Sequence, residues 1–500
     1  MDAIYILVPC ADSVERMIDD FKPRPQNAES ESQKASYAHA HLFFTGELPD
    51  ELLSLIASSP AAPYVKNVTE MFIEYNPIES RVFLTTPSEQ PFYTLYSPHS
   101  TDKIVKDLDA ASDRIISVIS SLKIRPYIRF YSPGEPTDTE WNGIPNKDSY
   151  PRIAQAMAVR LQMKLDEFYA HEERKPIDEK MDDQTYPPPV IIVLDRSIDM
   201  YAPLIHEATY QAMVYDLVDL GNGDKYTYQV TSNDGNVSQI EAELCEKTDE
   251  LWRSLRHEHI VTVADTLADR VDKLLSDHAG IKALNKPIKL HEMKAAISEM
   301  PEFQHLQSLY SLHSHLASEC LRISKERNLP MIIDLERELV TQLSTSGEHV
   351  GRMSLETRLI ALLDDQSLDD SDRIRLLFLY LIYVNGGKAQ DRRRLEEVPQ
   401  CLSINDKRAA VNLCRLGIPT NRTHHVSGSS KHSSGKYKWK KSTGSSPENN
   451  ESWFEPAVKQ IVKSHLSDDL SETMFPWTEA KPTKAVPKNM LNTAATSLRR

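Results

Sequence analysis

AIYILV (residues 3–8), SVERMIDDF (13–21), HLFFT (41–45), LPDELLSLIAS (48–58) and KNVTEMFI (66–73) alternate between two patterns. The first, third and fifth are short apolar runs of the kind that form buried strands. The second and fourth space their apolar residues for a helix: Val14, Met17, Ile18 and Phe21 share one side of the earlier one. Asp50 and Glu51 fall in the first turn of the later one, where the helix dipole favours acids. Strand–helix–strand–helix–strand with short links predicts right-handed crossovers and a parallel sheet.

The same logic extends outward. After Asn76-Pro77 a strand is expected at residues 81–85, a long helix near 102–122, a strand at RPYIRFY (125–131) and a helix over 151–173 that Pro151 suits at its first turn. VIIVLD (190–195) is the strongest buried-strand signal in the chain. From about residue 249 the period changes to 3.6. Helices are predicted over 260–275, 288–300, 303–327 and 331–343, and from Ser371-Asp372 to a stop at Asn385-Gly386-Gly387. Residues 422–451, rich in Ser, Gly and Lys, predict a disordered loop, and an apolar helix returns at 453–466.

Length and charge narrow the function. At roughly 100–200 residues per domain, 500 residues suggest about three domains. A net charge of −15 argues against a general nucleic-acid binder, which needs a basic surface. The longest apolar run, LLFLYLIYV (376–384), is about half of what a membrane span needs. The N-terminus lacks the basic and apolar regions of a secretory signal, and the five widely spaced cysteines lack C-x-x-C. A reducing cytoplasmic setting without disulfides or structural zinc is therefore expected.

No catalytic constellation emerges. G-x-S-x-G and G-x-G-x-x-G are absent, and Gly428 to Tyr437 departs from a P-loop in spacing and in its last residue. His257/His259 and His313/His315 are two residues apart, so neither pair forms a metal face on a helix. Asp195 follows a strand, with Arg196 and Asp199 close by, and His206-Glu207 has the spacing of an acid/base pair. An α/β hydrolase or nucleotide enzyme using Asp195 and His206 is the rival this leaves open. Structural ion pairing is the plainer reading.

Residues 194–218, LDRSIDMYAPLIHEATYQAMVYDLV, are similar to the signature of the SM (Sec/Munc-type) family of syntaxin-binding regulators of SNARE-mediated fusion. The agreement includes Asp195, Arg196, Asp199, Pro203, His206, Glu207, Tyr210 and Gln211. It continues in residues 2–21, 40–45, 95–98, 249–260, 372–387 and 453–470, and is strongest toward the exocytic branch. The resemblance implies an α/β fold plus a mostly helical inserted domain, arranged as a three-domain arch. Domain 1 would be residues 1–72, the first part of domain 2 residues 73–220 and domain 3 residues 221–470. Residues 471–500 would start the returning part of domain 2.

The resemblance further implies a non-enzymatic protein with no cofactor, metal, nucleic-acid partner or small-molecule substrate. It would bind syntaxin-type SNAREs and the assembled SNARE complex. It would lie in the cytoplasm and be recruited by its partners to the plasma membrane or secretory vesicles. An endosomal, vacuolar or Golgi fusion step is the alternative within the family. Leu53, Val65, Val68 and Glu70 match the family's pocket for a syntaxin N-terminal peptide, although such residues can equally pack a helix on a sheet. A mobile hairpin is expected near residues 331–363. It lacks the family's hinge proline, for which Ser354 is the nearest position. The family also carries strands before the position of Asp2 and after the end of this sequence. Both sheets are therefore expected to show unpaired edges and to limit solubility.

Overall fold

The computed structural model describes residues 1–22, 37–85, 91–96, 101–132, 153–172, 188–221, 225–231, 237–282, 301–344, 346–383 and 453–479. The helix expected over 288–300, the helix stop at 385–387 and the loop at 422–451 lie outside them. Two compact units divide the chain. One holds the described residues up to Asp195 and those from Ser464 onward; the other runs from Arg196 to Lys463.

The first unit begins as its sequence pattern dictates: β1 (Asp2–Leu7), α1 (Ala11–Asp19), β2 (His39–Phe44), α2 (Asp50–Ala57) and β3 (Val65–Glu70). The sheet is parallel in the order β1–β2–β3. Alternation along β2 turns Ala40, Leu42 and Phe44 inward, where Val14, Met17, Ile18 and Phe21 and Ile56 of α2 cover them. The opposite face leaves Ile4, Ile6 and Val8 exposed. Between β2 and β3 the register slips: Ala40 faces Val65, but His41 faces Asn67. Neighbours across a parallel pair share a face, so this irregularity brings Val65, Val68 and Glu70 all to the helix-covered side.

Phe72, at φ 52°, breaks out of the strand direction and stacks edge-on against Phe168 at 5.6 Å, in a second and separate core. The chain reaches it through the antiparallel hairpin β4 (Asn76–Glu79) and β5 (Val82–Leu84) and the helices α3 (Pro91–Tyr96) and α4 (Thr101–Leu122). This core lies between α4, α5 (Ile153–Glu172) and the parallel pair β6 (Tyr127–Phe130) and β7 (Val190–Val193). The run at 190–193 is half-buried along its length, less enclosed than its composition predicts.

Unpaired edges were expected on both sheets, and at β6 the structure corrects that expectation. Residues 474–478 return to it: Ser132 N donates to Met474 O at 2.8 Å, Phe130 N to Pro476 O at 3.2 Å and Thr478 N to Ile128 O at 3.0 Å. Arg129 locks this return. Its guanidinium donates to the carbonyls of Phe475 (2.9 Å), Leu470 (3.0 Å) and Ser471 (3.2 Å) and lies 4.7 Å over the Trp477 ring.

The second unit is mainly helical. It holds α6 (Tyr210–Leu217), α7 (Glu250–Leu255), α8 (Ile260–Lys282), α9 (Pro301–Glu326), α10 (Leu329–Thr341), α11 (Arg352–Asp364), α12 (Asp370–Tyr383) and the start of α13 (Ala457–Leu466). The antiparallel hairpin β8 (Lys225–Thr231) and β9 (Val237–Glu243) was not anticipated. Its polar, two-sided strands carry a weak sequence signal, and the packing of Tyr228, Tyr226 and Ala242 against the helical core commits it. Residues 196–220, grouped by the sequence reading with the α/β stretch before them, pack instead into this unit. Tyr210, Met213 and Val214 join a core with Trp252, Val263 and Leu316. The division between the two compact units falls between Asp195 and Arg196.

Candidate functional site

Leu53 lies on α2 and Val65, Val68 and Glu70 lie on β3. Leu53 on α2 is 43% exposed and Val68 on β3 is 38% exposed, while Val65 is half-buried at the rim of the first core. Helix-on-sheet packing would have buried Leu53 and Val68; that work is done by Leu52 and Ile56 on the inward side of α2. Glu70 is exposed, and one carboxylate oxygen accepts Leu48 N at 2.8 Å. That bond ties the entry of α2 to the end of β3 and fixes the acid at the corner. β3 pairs only with β2 among the described residues, so this corner lies at the sheet's open side. An apolar anchor with a neighbouring cation fits such a surface.

From Arg196 onward the signature residues form an internal joint of the second unit. Asp199 accepts Tyr201 N (3.1 Å) and Ala202 N (3.0 Å) on one oxygen and Ala457 N (2.9 Å) on the other. It thus shapes its own turn and satisfies an amide in the first turn of α13, 258 residues away. Arg196 donates to Asp199 O at 3.0 Å, and Asp195 also has polar partners. Pro203 is exposed on the same turn. Gln211 N donates to Arg256 O at 2.9 Å, and Glu207 accepts the Ala208 amide at 3.0 Å.

His206 is buried between two acids with no exposed surface. Nδ1 lies 2.8 Å from Glu336 Oε1, Nε2 lies 3.2 Å from Asp372 Oδ1, and His206 N donates to Glu336 Oε2 at 2.9 Å. Burial disfavours the imidazolium, but the bonds to Asp372 and Glu336 outweigh it and push the His206 pKa up to about 9. Burial likewise opposes ionisation of Asp372, yet His206 and Arg327 hold its pKa below the ordinary value. Two cations and two carboxylates thereby close a network linking the signature turn to α10, α12 and Arg327, which directly follows α9. Both ring nitrogens are committed, so His206 has no lone pair for acid/base work.

Tyr210 OH lies 2.8 Å from His313 Nδ1, and His313 Nε2 lies 2.8 Å from Asp249 Oδ2. Asp249 also accepts Trp252 N at 2.8 Å and so caps α7. Tyr210 and His313 have no exposed surface and Asp249 almost none. The chain of groups is an internal tie, with no room for a substrate. Among the described residues no cluster of three His, Cys, Asp or Glu side chains could hold a metal.

Glu336, Asp372, Arg327 and Asp249 were not singled out from the sequence. One signal was available: Glu336 and Glu338 interrupt an otherwise apolar helical face, where an acid must have a partner.

A model described as the Sec1 family matches residues 1–499. The chain is 30% identical over 483 residues to protein transport protein sec1 of Dictyostelium discoideum, covering 96% of this chain and 73% of that protein. It is 26% identical over 506 residues to protein transport protein sec1 of Schizosaccharomyces pombe, covering all of this chain and 66% of that one. Its fold is similar to the Unc18 chain in the Unc18–syntaxin 1 complex of Monosiga brevicollis. The TM-score is 0.74 at 21% identity, over 98% of this chain and 79% of that one.

Proposed function

Because the chain belongs to the Sec1 family, we propose that it binds syntaxin-type SNAREs and the assembled SNARE complex and regulates SNARE assembly in vesicle docking and fusion during exocytosis. The observation that carries the reading is the α2–β3 corner. Leu53 on α2 and Val68 on β3 stand exposed, and Val68 shares its side of β3 with Glu70, a surface suited to a peptide with an apolar anchor and a basic residue.

The protein works by binding, without turnover and without a cofactor. Support comes from the signature motif itself, whose Asp199, His206 and Tyr210 are each spent on internal ties. Recruitment to the plasma membrane or to vesicles is peripheral and runs through these partners. No described helix is long and apolar enough to cross a membrane. The domain plan that fits the packing has residues 1–72 as domain 1, with its own core, and 73–195 with the return from 464 as domain 2. Residues 196–463 form domain 3.

The test is a pull-down against a panel of syntaxin-type cytosolic domains, each with and without its N-terminal peptide. Retention of a plasma-membrane syntaxin is expected, with its peptide-dependent part lost in Leu53→Arg. Retention of an endosomal or Golgi syntaxin alone would move the protein to that step. Retention of none would refute the binding role.

A further inference from the structure

The clasp that Arg129 forms on residues 470–477 has one further member. Arg129 Nη1 lies 3.4 Å from Nδ1 of His465, in the last turn of α13. A guanidinium can only donate, so Nδ1 accepts, and the ring is neutral with its proton on Nε2. The same ring lies 6.5 Å from the Trp477 ring, over which the guanidinium is placed. Arg129 is thus seated by the carbonyls of Leu470, Ser471 and Phe475 and by one titratable nitrogen. His465 is half-buried, so solvent reaches it.

Among the described residues, the charged groups at this ring come from three places. Arg129 stands on β6, Asp468 just after α13 and Glu472 on the return itself. Asp468 favours a charged imidazole, and Asp468 and Glu472 both favour the guanidinium. Both acids are exposed, where water weakens their pull. Burial and the adjacent Arg129 charge act the other way and hold the His465 pKa below its ordinary value. A proton taken from solvent onto the Nδ1 lone pair turns the acceptor into a donor. N–H then points at N–H, and two cations stand where one hydrogen bond had been.

We propose that protonation of His465 opens this clasp and releases residues 474–478 from β6, making the return a proton-sensitive latch. The amides of Phe130, Ser132 and Thr478 lose their partners when it opens. What is bared is the outer edge of β6, a row of backbone groups ready to pair with another strand. The direction with pH follows from the ring. Its folded pKa lies below the unfolded one, so the latch is whole above about pH 6.5 and loosens as pH falls through the folded value.

The experiment is hydrogen exchange on the full chain, resolved to single amides by fragmentation mass spectrometry and corrected for the intrinsic pH dependence of exchange. Protection at Phe130, Ser132 and Thr478 is expected to fall about three- to tenfold between about pH 7.5 and 5.5. About tenfold is the ceiling for one ring whose pKa in the open latch is about 6.5. The amides of Tyr127 and Tyr131 donate to Pro189 O and Val193 O on the opposite side of β6 and should keep their protection. His465→Asn offers Arg129 a side-chain oxygen that does not titrate, and should remove the pH dependence. An unchanged protection in the wild-type chain, or the same fall in His465→Asn, overturns the latch. So does an equal fall at Tyr127 and Tyr131, which would mean general unfolding in acid. If His465→Asn does not fold, the contrast between the two sides of β6 in the wild-type chain decides alone.

Discussion

Replacing His206 with alanine removes the cation from between two acids that have no access to water. Asp372 keeps Arg327, but among the described residues Glu336 keeps only the backbone N–H of residue 206. Breaking a buried ion pair by deleting one partner costs about 3–5 kcal/mol. The titration of the imidazole points to a similar size. A rise from 6.5 to about 9 corresponds to roughly 3 kcal/mol. For a helical unit of this length the loss lowers the melting temperature by on the order of 10 °C.

The sign with pH follows from the direction of the shift. The folded pKa lies above the unfolded one, so the contribution is complete below about pH 6.5 and is lost as pH rises through about 9. Urea unfolding of wild type and His206→Ala, followed by circular dichroism at pH 7 and pH 10, measures both effects. The difference in stability should be largest at pH 7 and should narrow by pH 10. A difference under about 1 kcal/mol at pH 7, or one that does not change with pH, refutes the buried-imidazolium account.

Asp199→Ala strips an acceptor from the first turn of α13 and from the turn at 201–202, and should destabilise the second unit by about 1–2 kcal/mol in the same assay. Arg129→Lys retains the charge but cannot span three carbonyls or lie flat on Trp477. A loss of about 2–3 kcal/mol is expected, with faster hydrogen exchange at Phe130 and Thr478 as the specific readout. Leu53→Arg, at an exposed position, should leave the melting temperature within about 1–2 °C of wild type. A large drop there would mean that Leu53 is core and not pocket.

Local pattern by itself determined the strand–helix alternation of the first 73 residues and most helices of the second unit. Apolar periodicity is enforced residue by residue wherever one face of an element is buried, so it is legible before any fold is known. The motif at 194–218 likewise pointed to the family and to the residues that matter. Tertiary structure decided what those residues do. Asp199 meets Ala457, His206 meets Glu336 and Asp372, and Tyr210 meets His313, across separations of 103 to 258 residues. No periodicity reports a partner that far away. The chain's fold also decided that Val65, Val68 and Glu70 share a side. A one-residue slip in a strand reverses every side chain beyond it, and pairing with β2 places that slip between Val65 and Asn67. The hairpin at 225–243 and the return of 474–478 to β6 belong to the same class. Their backbone groups find partners only once distant surfaces are in place.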